Sequence, residues 1–109
     1  MNAPLKVLLL FVNEADMWHN RPLYQAIVER LNQVEIAGAT ATPGLMGFGH
    51  HRRLHHKGLF GVLDDRPITI VVADHEAKLR AVVPIIREMM REGLMLFVDA
   101  ELVADVTEA

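Results

Sequence analysis

The sequence predicts an α+β fold in which two helices lie on one face of a four-stranded antiparallel sheet. Four segments have the length and branched apolar side chains of strands, and two segments repeat apolar residues at helical spacing. They follow one another as strand–helix–strand, strand–helix–strand, which is the double βαβ plan of a ferredoxin-like sandwich. The length of 109 residues corresponds to a single domain over residues 1–109.

Four strands are predicted from apolar runs bounded by polar residues or proline: residues 5–12, 37–48, 68–73 and 94–98. Pro43 places the second strand at a sheet edge or a bulge, because proline has no N–H to donate to a neighbouring strand. Residues 104–109 are expected to form a loose tail.

Two helices are predicted from their apolar faces and their terminal residues. The first is expected to begin at Pro22 with Asn20 or Arg21 as its cap. Asp74 is expected to cap the second helix, and Gly93 to end it. The apolar faces are Tyr24, Ile27, Val28, Leu31 and Val34 in the first helix, and Leu79, Val82, Val83, Ile86 and Met89 or Met90 in the second.

Pro84 lies inside the second predicted helix. Because proline has no N–H, it removes the hydrogen bond to the Arg80 carbonyl. We therefore expect a kink at this position.

The first and fourth predicted strands are apolar on both sides. Leu5, Val7, Leu9 and Phe11 alternate with Leu8, Leu10 and Val12, and the fourth strand has the same two-sided pattern. Two helices can cover only one face of such a sheet, and strands buried on both faces read as continuous apolar runs. We expect a second copy of the chain to cover the other face; a curled sheet that hides its own second face is the alternative.

Composition excludes several classes of function. The chain has no cysteine, which removes disulfides, thiol catalysis and cysteine-ligated metals. A net charge of −3 argues against a dedicated nucleic-acid binder. The longest aliphatic run, residues 7–12, is too short to span a bilayer or to form a secretory signal. We expect a cytoplasmic protein without membrane insertion.

Residues 44–57 concentrate glycine and positive charge in an otherwise acidic chain. Gly44, Gly47 and Gly49 precede a cluster of basic and imidazole side chains: His50, His51, Arg52, Arg53, His55, His56 and Lys57. Exposed backbone N–H groups beside guanidinium groups are the components of a phosphate or carboxylate cradle. The segment therefore predicts an anion-binding hairpin, and a solvated hairpin tip is the alternative.

The same histidines leave a divalent metal open as an alternative ligand. His51 and His55 fall on one side of either a helix or a strand, and imidazole suits zinc, copper or nickel. Two arginines between them oppose a cation, so we place the metal second to an anion.

A second polar segment follows the first strand. Glu14 and Asp16 with His19 would provide a carboxylate pair and an acid or base for a small enzyme. No nucleophile or oxyanion motif accompanies them, and acids near a helix start commonly serve the helix dipole. We expect no catalysis, and we retain Glu14, His19 and Arg21 as candidate ligand contacts.

Several motifs in order resemble the PII-like family labelled domain of unknown function 190. They are WHNRPLYQAIV at 18–28, AGAT at 37–40, GLMGFG at 44–49, RLH at 53–55, Pro84 within a helix, and EGL at 92–94. The resemblance runs from about residue 5 to residue 103. The histidine-rich part of the loop, and Asn13 where a glycine is common, depart from the usual pattern.

The resemblance implies a trimeric signalling protein with an adenine nucleotide, ADP, AMP or ATP, in clefts between subunits. Loop 49–58 would be mobile without ligand and would dock on a transporter or an enzyme. The metal alternative would resemble the metal-tolerance relatives of the PII fold. No further cofactor is required. The expected ligand contacts in the hairpin are Gly44, Gly47, Phe48, Gly49, Arg53 and His55. Arg53 would contact phosphate through its guanidinium group, and His55 would make affinity depend on pH near neutrality.

Overall fold

The computed structural model describes residues 4–49, 51–56 and 65–106. In chain order its elements are β1 (Leu5–Asn13), β2 (Met17–Trp18), β3 (Arg21–Pro22), α1 (Leu23–Gln33), β4 (Gly38–Pro43), β5 (Met46–Gly47), β6 (His55–His56), β7 (Pro67–His75), α2 (Glu76–Met89) and β8 (Leu94–Asp99). The predicted α+β class is confirmed.

The four long strands form one antiparallel sheet in the spatial order β4-β7-β1-β8, and both helices cover the same face of it. This is the strand order that the double βαβ plan requires. The short strands form two separate hairpins, β2 with β3 and β5 with β6. The ferredoxin-like architecture is confirmed.

The core lies between the helices and one face of the sheet. Leu10 of β1 pairs with Ile70 of β7, and both side chains are fully buried. The apolar residues of this core are Leu8, Leu10, Val12, Leu23, Ala26, Ile27, Leu31, Ile68, Ile70, Val72, Leu79, Val82, Ile86 and Met89. Most of the predicted helix-face residues belong to it or pack against it. Successive strand residues alternate between faces, so the burial of these residues places their neighbours on the other side.

The opposite face of the sheet is apolar and open. Leu9 of β1 lies between Val71 of β7 and Leu96 of β8 in the register. Val71, Leu94, Leu96 and Val98 are 40%, 47%, 41% and 43% exposed, although all are aliphatic. The sheet therefore does not curl to hide its second face, and the curled alternative is wrong. We call this surface, formed by the odd-numbered residues of β1 and β7 and the even-numbered residues of β8, the open face.

The start of α1 differs from the prediction. Pro22 pairs with Met17 in the β2–β3 hairpin, so the helix begins one residue later, at Leu23. His19 and Asn20 have φ values of 48° and 66° and form the hairpin turn, the conformation that two-residue hairpins require. Neither Asn20 nor Arg21 caps the helix; Pro22 occupies the cap position without a side-chain hydrogen bond.

Asp74 does not occupy the cap position of α2, because β7 extends to His75, which lies there instead. The buried Asp74 carboxylate accepts hydrogen bonds from the backbone N–H groups of Ala37 (2.9 Å) and His75 (2.6 Å), and it pairs with Lys78 at 3.3 Å. Burial would raise the pKa of Asp74, but these hydrogen bonds and the Lys78 charge outweigh it and lower the pKa. Asp74 thus connects β7 to the chain entering β4.

The end of α2 also differs from the prediction. The helix continues through Pro84 to Met89, and Met90 occupies its C-terminal cap position. Gly93 lies in the following turn with φ of 125°, where a Cβ would overlap the carbonyl oxygen of Phe11. Gly93 therefore allows the chain to pass close to β1 rather than capping the helix. The kink at Pro84 stays a prediction.

The predicted second strand is divided into two. β4 ends at Pro43 on the edge of the sheet, which confirms the edge position of this proline. The Gly44 N–H then donates to the Pro67 carbonyl (2.7 Å), and β5 leaves the sheet to pair with β6. The glycine-rich segment thus forms a separate hairpin over the end of the sheet.

Residues 104–106 of the predicted tail are exposed and in neither a helix nor a strand, and residues 107–109 lie outside the described part. Within the described ranges, no helix is long and apolar enough to cross a membrane.

Gly93→Ala is expected to lower the free energy of unfolding by about 1–3 kcal/mol, because it combines strained backbone with a clash against Phe11. The matched control is Gly38→Ala, whose Cβ would meet no atom within 4 Å. That variant should leave the stability unchanged or raise it by up to about 1 kcal/mol. Urea denaturation measures both, and equal effects would contradict the assignment of Gly93.

Candidate functional site

A cleft of about 800 Å³ lies between the β5–β6 hairpin, the end of β1 and the start of β8. Its apolar wall includes Phe11, Pro67 and Leu94 from the end of the sheet. Charged groups of both signs lie around this wall, with Arg52 and Arg53 in the hairpin segment and acidic residues elsewhere. The volume is in the range of pockets that bind small molecules.

All six hairpin residues predicted as ligand contacts line this cleft: Gly44, Gly47, Phe48, Gly49, Arg53 and His55. His51, the other candidate metal ligand, lines it as well. The fold therefore collects the glycine-rich segment, the basic cluster and the end of the first strand in one place. His50 and Lys57 of the predicted mobile loop 49–58 lie outside the described residues, and the mobility of the loop stays a prediction.

The hairpin is held by short-range pairing and by contact with β7. Gly47 pairs with His55, and a Cβ on Gly47 would lie 3.4 Å from the Pro67 ring, so a larger residue would be tight there. The Arg52 N–H donates to the Gly49 carbonyl (2.9 Å), and Arg52 has φ of 55°. This turn brings the Arg52 guanidinium over the Phe48 ring, 4.6 Å from its centroid.

Arg53 and Arg52 differ in their contacts within the described residues. It is exposed at the cleft, and none of the ion pairs among the described residues includes it. Arg52, by contrast, is engaged with an aromatic ring, a contact worth about 0.5–1 kcal/mol at an exposed site. Arg53 therefore has no ion pair or ring contact to give up among the described residues.

The two candidate metal-ligating histidines bind different carboxylates. His55 Nδ1 lies 2.5 Å from Asp65 Oδ2, and His51 Nε2 lies 2.9 Å from Glu92 Oε2. Among the residues that the structure describes, no group of three or more metal-ligating side chains is assembled. The pairs tie the hairpin to the chain before β7 and to the turn before β8. The spacing of the residues within the hairpin does not predict that Asp65 or Glu92 would be a partner of these histidines.

Asp16 is an acidic group of the cleft whose pKa is raised. Burial is the main cause, opposed by a hydrogen bond from the Asn13 N–H (3.0 Å). The negative charges of Glu92 and Asp65 raise it further, and His55 lowers it. Asp16 and Glu92 line the cleft from two separate segments, and Asp65 contacts it through its pair with His55, so these acidic groups meet only in the folded chain.

Glu14, His19 and Arg21 are not brought into this cleft. The Glu14 carboxylate forms a two-pronged ion pair with Arg66, at 2.9 Å from Nε and 2.7 Å from a terminal nitrogen. The backbone N–H of Glu14 also donates to the carbonyl of Arg66 (2.8 Å). His19 and Arg21 line a separate groove of about 350 Å³ between the helices, where Arg21 pairs with Glu29. The carboxylate and histidine of the predicted enzyme site therefore lie apart.

Comparisons with known proteins agree with this architecture. The family model DUF190, described as "Uncharacterized ACR, COG1993", matches residues 5–102. A UPF0166 protein of Aquifex aeolicus is 24% identical over 98 residues, covering 90% of this chain and 92% of that protein. A UPF0166 protein of Methanocaldococcus jannaschii is 27% identical over 95 residues, covering 86% and 87%.

One solved structure shares the fold at low sequence identity. The divalent ion tolerance protein CutA1 from Ehrlichia chaffeensis is similar with a TM-score of 0.65 at 10% identity, covering 94% of this chain and 87% of that one. At this identity the likeness concerns the fold alone.

Glu14→Gln is expected to lower the free energy of unfolding at pH 7 by about 1–3 kcal/mol, because it removes charge-assisted hydrogen bonds to Arg66. Hydrogen bonding to Arg66 lowers the pKa of Glu14 in the folded chain below its ordinary value of 4.5. The stabilisation is therefore complete above pH 4.5 and is lost as the pH falls through the lower folded pKa.

The measurement is urea denaturation of both proteins between pH 7 and pH 3. The difference between them should shrink as the solution is acidified below the ordinary pKa of glutamate. Glu88→Gln, at an exposed position on α2, is the matched control and should have no such effect. A difference that is constant with pH would contradict an ionic role for Glu14.

Proposed function

The chain belongs to the DUF190 family, with UPF0166 proteins as relatives, and we propose that it is a PII-like regulatory protein that binds an adenine nucleotide such as ADP, AMP or ATP. The observation that carries the proposal is the composition of the cleft. An exposed arginine, a glycine-rich backbone and an apolar wall face one volume of about 800 Å³. A nucleotide combines the same elements, a multiply charged phosphate chain and a flat apolar base.

The phosphates are assigned to the hairpin. Arg53 can bind phosphate oxygens through two parallel hydrogen bonds. Glycine at positions 47 and 49 lets an anion approach the backbone closely, and at Gly49 no neighbouring atom lies within 4 Å of a Cβ position. His55 is already bonded to Asp65 through Nδ1, so only its Nε2 remains for a ligand.

The base is assigned to the apolar wall. Phe48 is 56% exposed and has Arg52 over its ring, and Phe11 and Leu94 lie in the same cleft. An aromatic base gains stacking energy on such a surface, typically about 1–3 kcal/mol by alanine substitution. The acidic groups Asp16 and Glu92 can accept hydrogen bonds from ribose hydroxyls or from the amino group of the base.

We also propose that the protein assembles as a trimer through the open face, with the ligand cleft at the subunit boundary. Phe11, Leu94 and Leu96 belong both to the open face and to the cleft wall. A second copy on the open face would therefore border the ligand. Binding and assembly would be coupled because they use the same side chains.

The proposed role is regulation rather than catalysis. In this role the hairpin and the loop after it, residues 49–58, change shape with ligand and contact a transporter or an enzyme. The described residues pair Glu14 with Arg66 and place His19 in another groove, which supports binding over the enzyme alternative. We propose no cofactor beyond the nucleotide.

A metal-binding role is the second candidate, and one observation favours it. The fold neighbour CutA1 is named a divalent ion tolerance protein, and here His51 and His55 line one cleft. Against it, each histidine is bonded to a different carboxylate, and Arg52 and Arg53 lie between them. A cation would have to displace these pairs in the presence of two positive charges.

Adenine nucleotides are expected to raise the melting temperature. A ligand at about 100 times its dissociation constant stabilises the folded state by about 2.7 kcal/mol, which corresponds to about 10–20 °C in a domain of this size. Arg53→Ala should lose most of this shift. Arg87→Ala, an exposed arginine on α2 outside the cleft, is the matched control and should retain it.

The measurement is a thermal shift assay with ADP, AMP and ATP, with and without magnesium, and with zinc, nickel and copper alone. If millimolar nucleotides leave the melting temperature unchanged under all these conditions, the nucleotide proposal is wrong. A shift with a metal alone that His51→Ala and His55→Ala abolish would favour the metal-binding role.

Val71→Lys is expected to dissociate the trimer without unfolding the chain. Val71 lies at the middle of the open face and is already 40% exposed in the single chain, so only a partner would be forced to bury the ammonium group. Sedimentation should give about three times 12.2 kDa for the wild type and about 12.2 kDa for the variant. Ala81→Lys, on the solvent side of α2, is the control and should not change the mass. A wild-type monomer at micromolar concentration would overturn the trimer.

A further inference from the structure

The apolar alternation of β8 continues past the end of the strand. Even-numbered positions from 94 to 106 are all apolar: Leu94, Leu96, Val98, Ala100, Leu102, Ala104 and Val106. From residue 99 to residue 107 the odd-numbered positions are polar or acidic, apart from Val103. A period of two over this length is the pattern of a strand with one buried face. The pattern is thus that of a strand about twice as long as β8 itself.

Among the residues that the structure describes, the sheet of the same chain does not pair with the second half of this strand. The last pair between β8 and its neighbour is Asp99 with Lys6, and β1 begins at Leu5. Pro4 precedes it and has no N–H to donate. Beyond residue 99 the strand therefore overhangs the sheet that holds its first half.

The overhanging residues are exposed to an unusual degree for their type. Leu102, Val103 and Val106 are 56%, 93% and 89% exposed. Among the described residues, 101–106 make no backbone hydrogen bond to any other segment. A segment with strand patterning, unpaired backbone groups and exposed apolar side chains is typical of a strand that pairs with another chain.

We propose that residues 101–106 are an intersubunit strand that adds to the free edge of β8 in a second copy of this chain. We call this segment the overhang. β8 is the outermost strand of the sheet, so its outer edge carries unpaired backbone groups. The even-numbered side chains of the overhang would extend the apolar surface formed by Leu94, Leu96 and Val98 of that copy. The proposal rests on the assembly proposed above and assigns it a specific segment.

Charge supports the choice of this edge. With its apolar side on the open face, the overhang turns Glu101 and Asp105 to the helix side of the second copy. There Arg80 of α2 lies over the Phe97 ring of β8, 4.6 Å from its centroid, and it pairs with Glu76 at 2.6 Å while its side chain stays 58% exposed. Acidic side chains of the added strand thus come to the side of the sheet where a guanidinium group is exposed.

The geometry makes the contact head-to-tail. The overhang of one copy pairs with the outer edge of β8 in the next copy. Because these two surfaces differ, the contact repeats from copy to copy until a ring closes. Three copies close such a ring in the proposed assembly.

The test compares the full chain with Leu102→Asp/Val106→Asp and with Val103→Asp. The first variant changes the even-numbered side of the overhang, and the second places the same charge on its odd-numbered side. Sedimentation over a range of concentrations gives the dissociation constant of the assembly. It should be about 100-fold higher for the double variant than for the wild type or for Val103→Asp. None of the three positions is in the core, so circular dichroism should show all proteins folded.

The outcomes separate this inference from the proposal on which it rests. If the wild type is a monomer, both are overturned. If the wild type is a trimer and the double variant dissociates no more readily, only the strand assignment fails. The strand assignment would also be overturned if Val103→Asp dissociates as readily as the double variant. In that case the side of the overhang that carries the charge would make no difference. Hydrogen exchange gives a second measurement: amides of residues 101–106 should be protected in the assembled wild type and unprotected in the double variant.

Discussion

The structure depends on one constraint, which is that two helices can cover only one face of a four-stranded sheet. β1 and β7 lie at the centre and are apolar on both sides, so the register that buries Leu10 against Ile70 also exposes Leu9 beside Val71. No rearrangement of the same chain removes this surface, because a shift by one residue would exchange the two faces. Folding of a single chain therefore leaves a large apolar area in water, and assembly is the means by which it would be buried.

The same register builds the cleft. Pairing of β1 with β7 and β8 brings the end of the first strand beside Pro67 and beside the turn at Gly93. The β5–β6 hairpin then rests on Pro67 and is bonded through His55 to Asp65 and through His51 to Glu92. Since the wall of the cleft is also part of the open face, the proposed ligand site and the proposed interface share side chains.

Charge in the cleft is divided rather than uniform. Exposed arginines of the hairpin face a set of carboxylates, of which Asp16 has a raised pKa because of burial and of nearby negative charge. The proposed anionic ligand would be attracted by the arginines and repelled by the carboxylates, which would orient its charged and uncharged ends. The pairs of His51 and His55 with carboxylates are contacts that such a ligand could exchange for its own phosphates. This is a physical route from binding to a change in hairpin conformation, which a regulatory protein requires.

The sequence by itself determined the two helices and the four strands of the main sheet, because these follow from local periodicity, whereas the short strands of the two small hairpins were not predicted as separate elements. It also determined the two-sided apolar strands and the basic, glycine-rich hairpin, and hence the six hairpin residues that line the cleft. The start of α1 was displaced because Pro22 pairs within the β2–β3 hairpin, and the start of α2 was displaced because Asp74 bonds to Ala37 instead of capping the helix. Only the tertiary structure decided that Asp65 pairs with His55, that Glu92 pairs with His51 in the cleft, and that Glu14 binds Arg66 away from it. The bonds between these pairs cross 10 to 52 positions of sequence. Such pairings are set by strand register and chain direction, which no local spacing encodes.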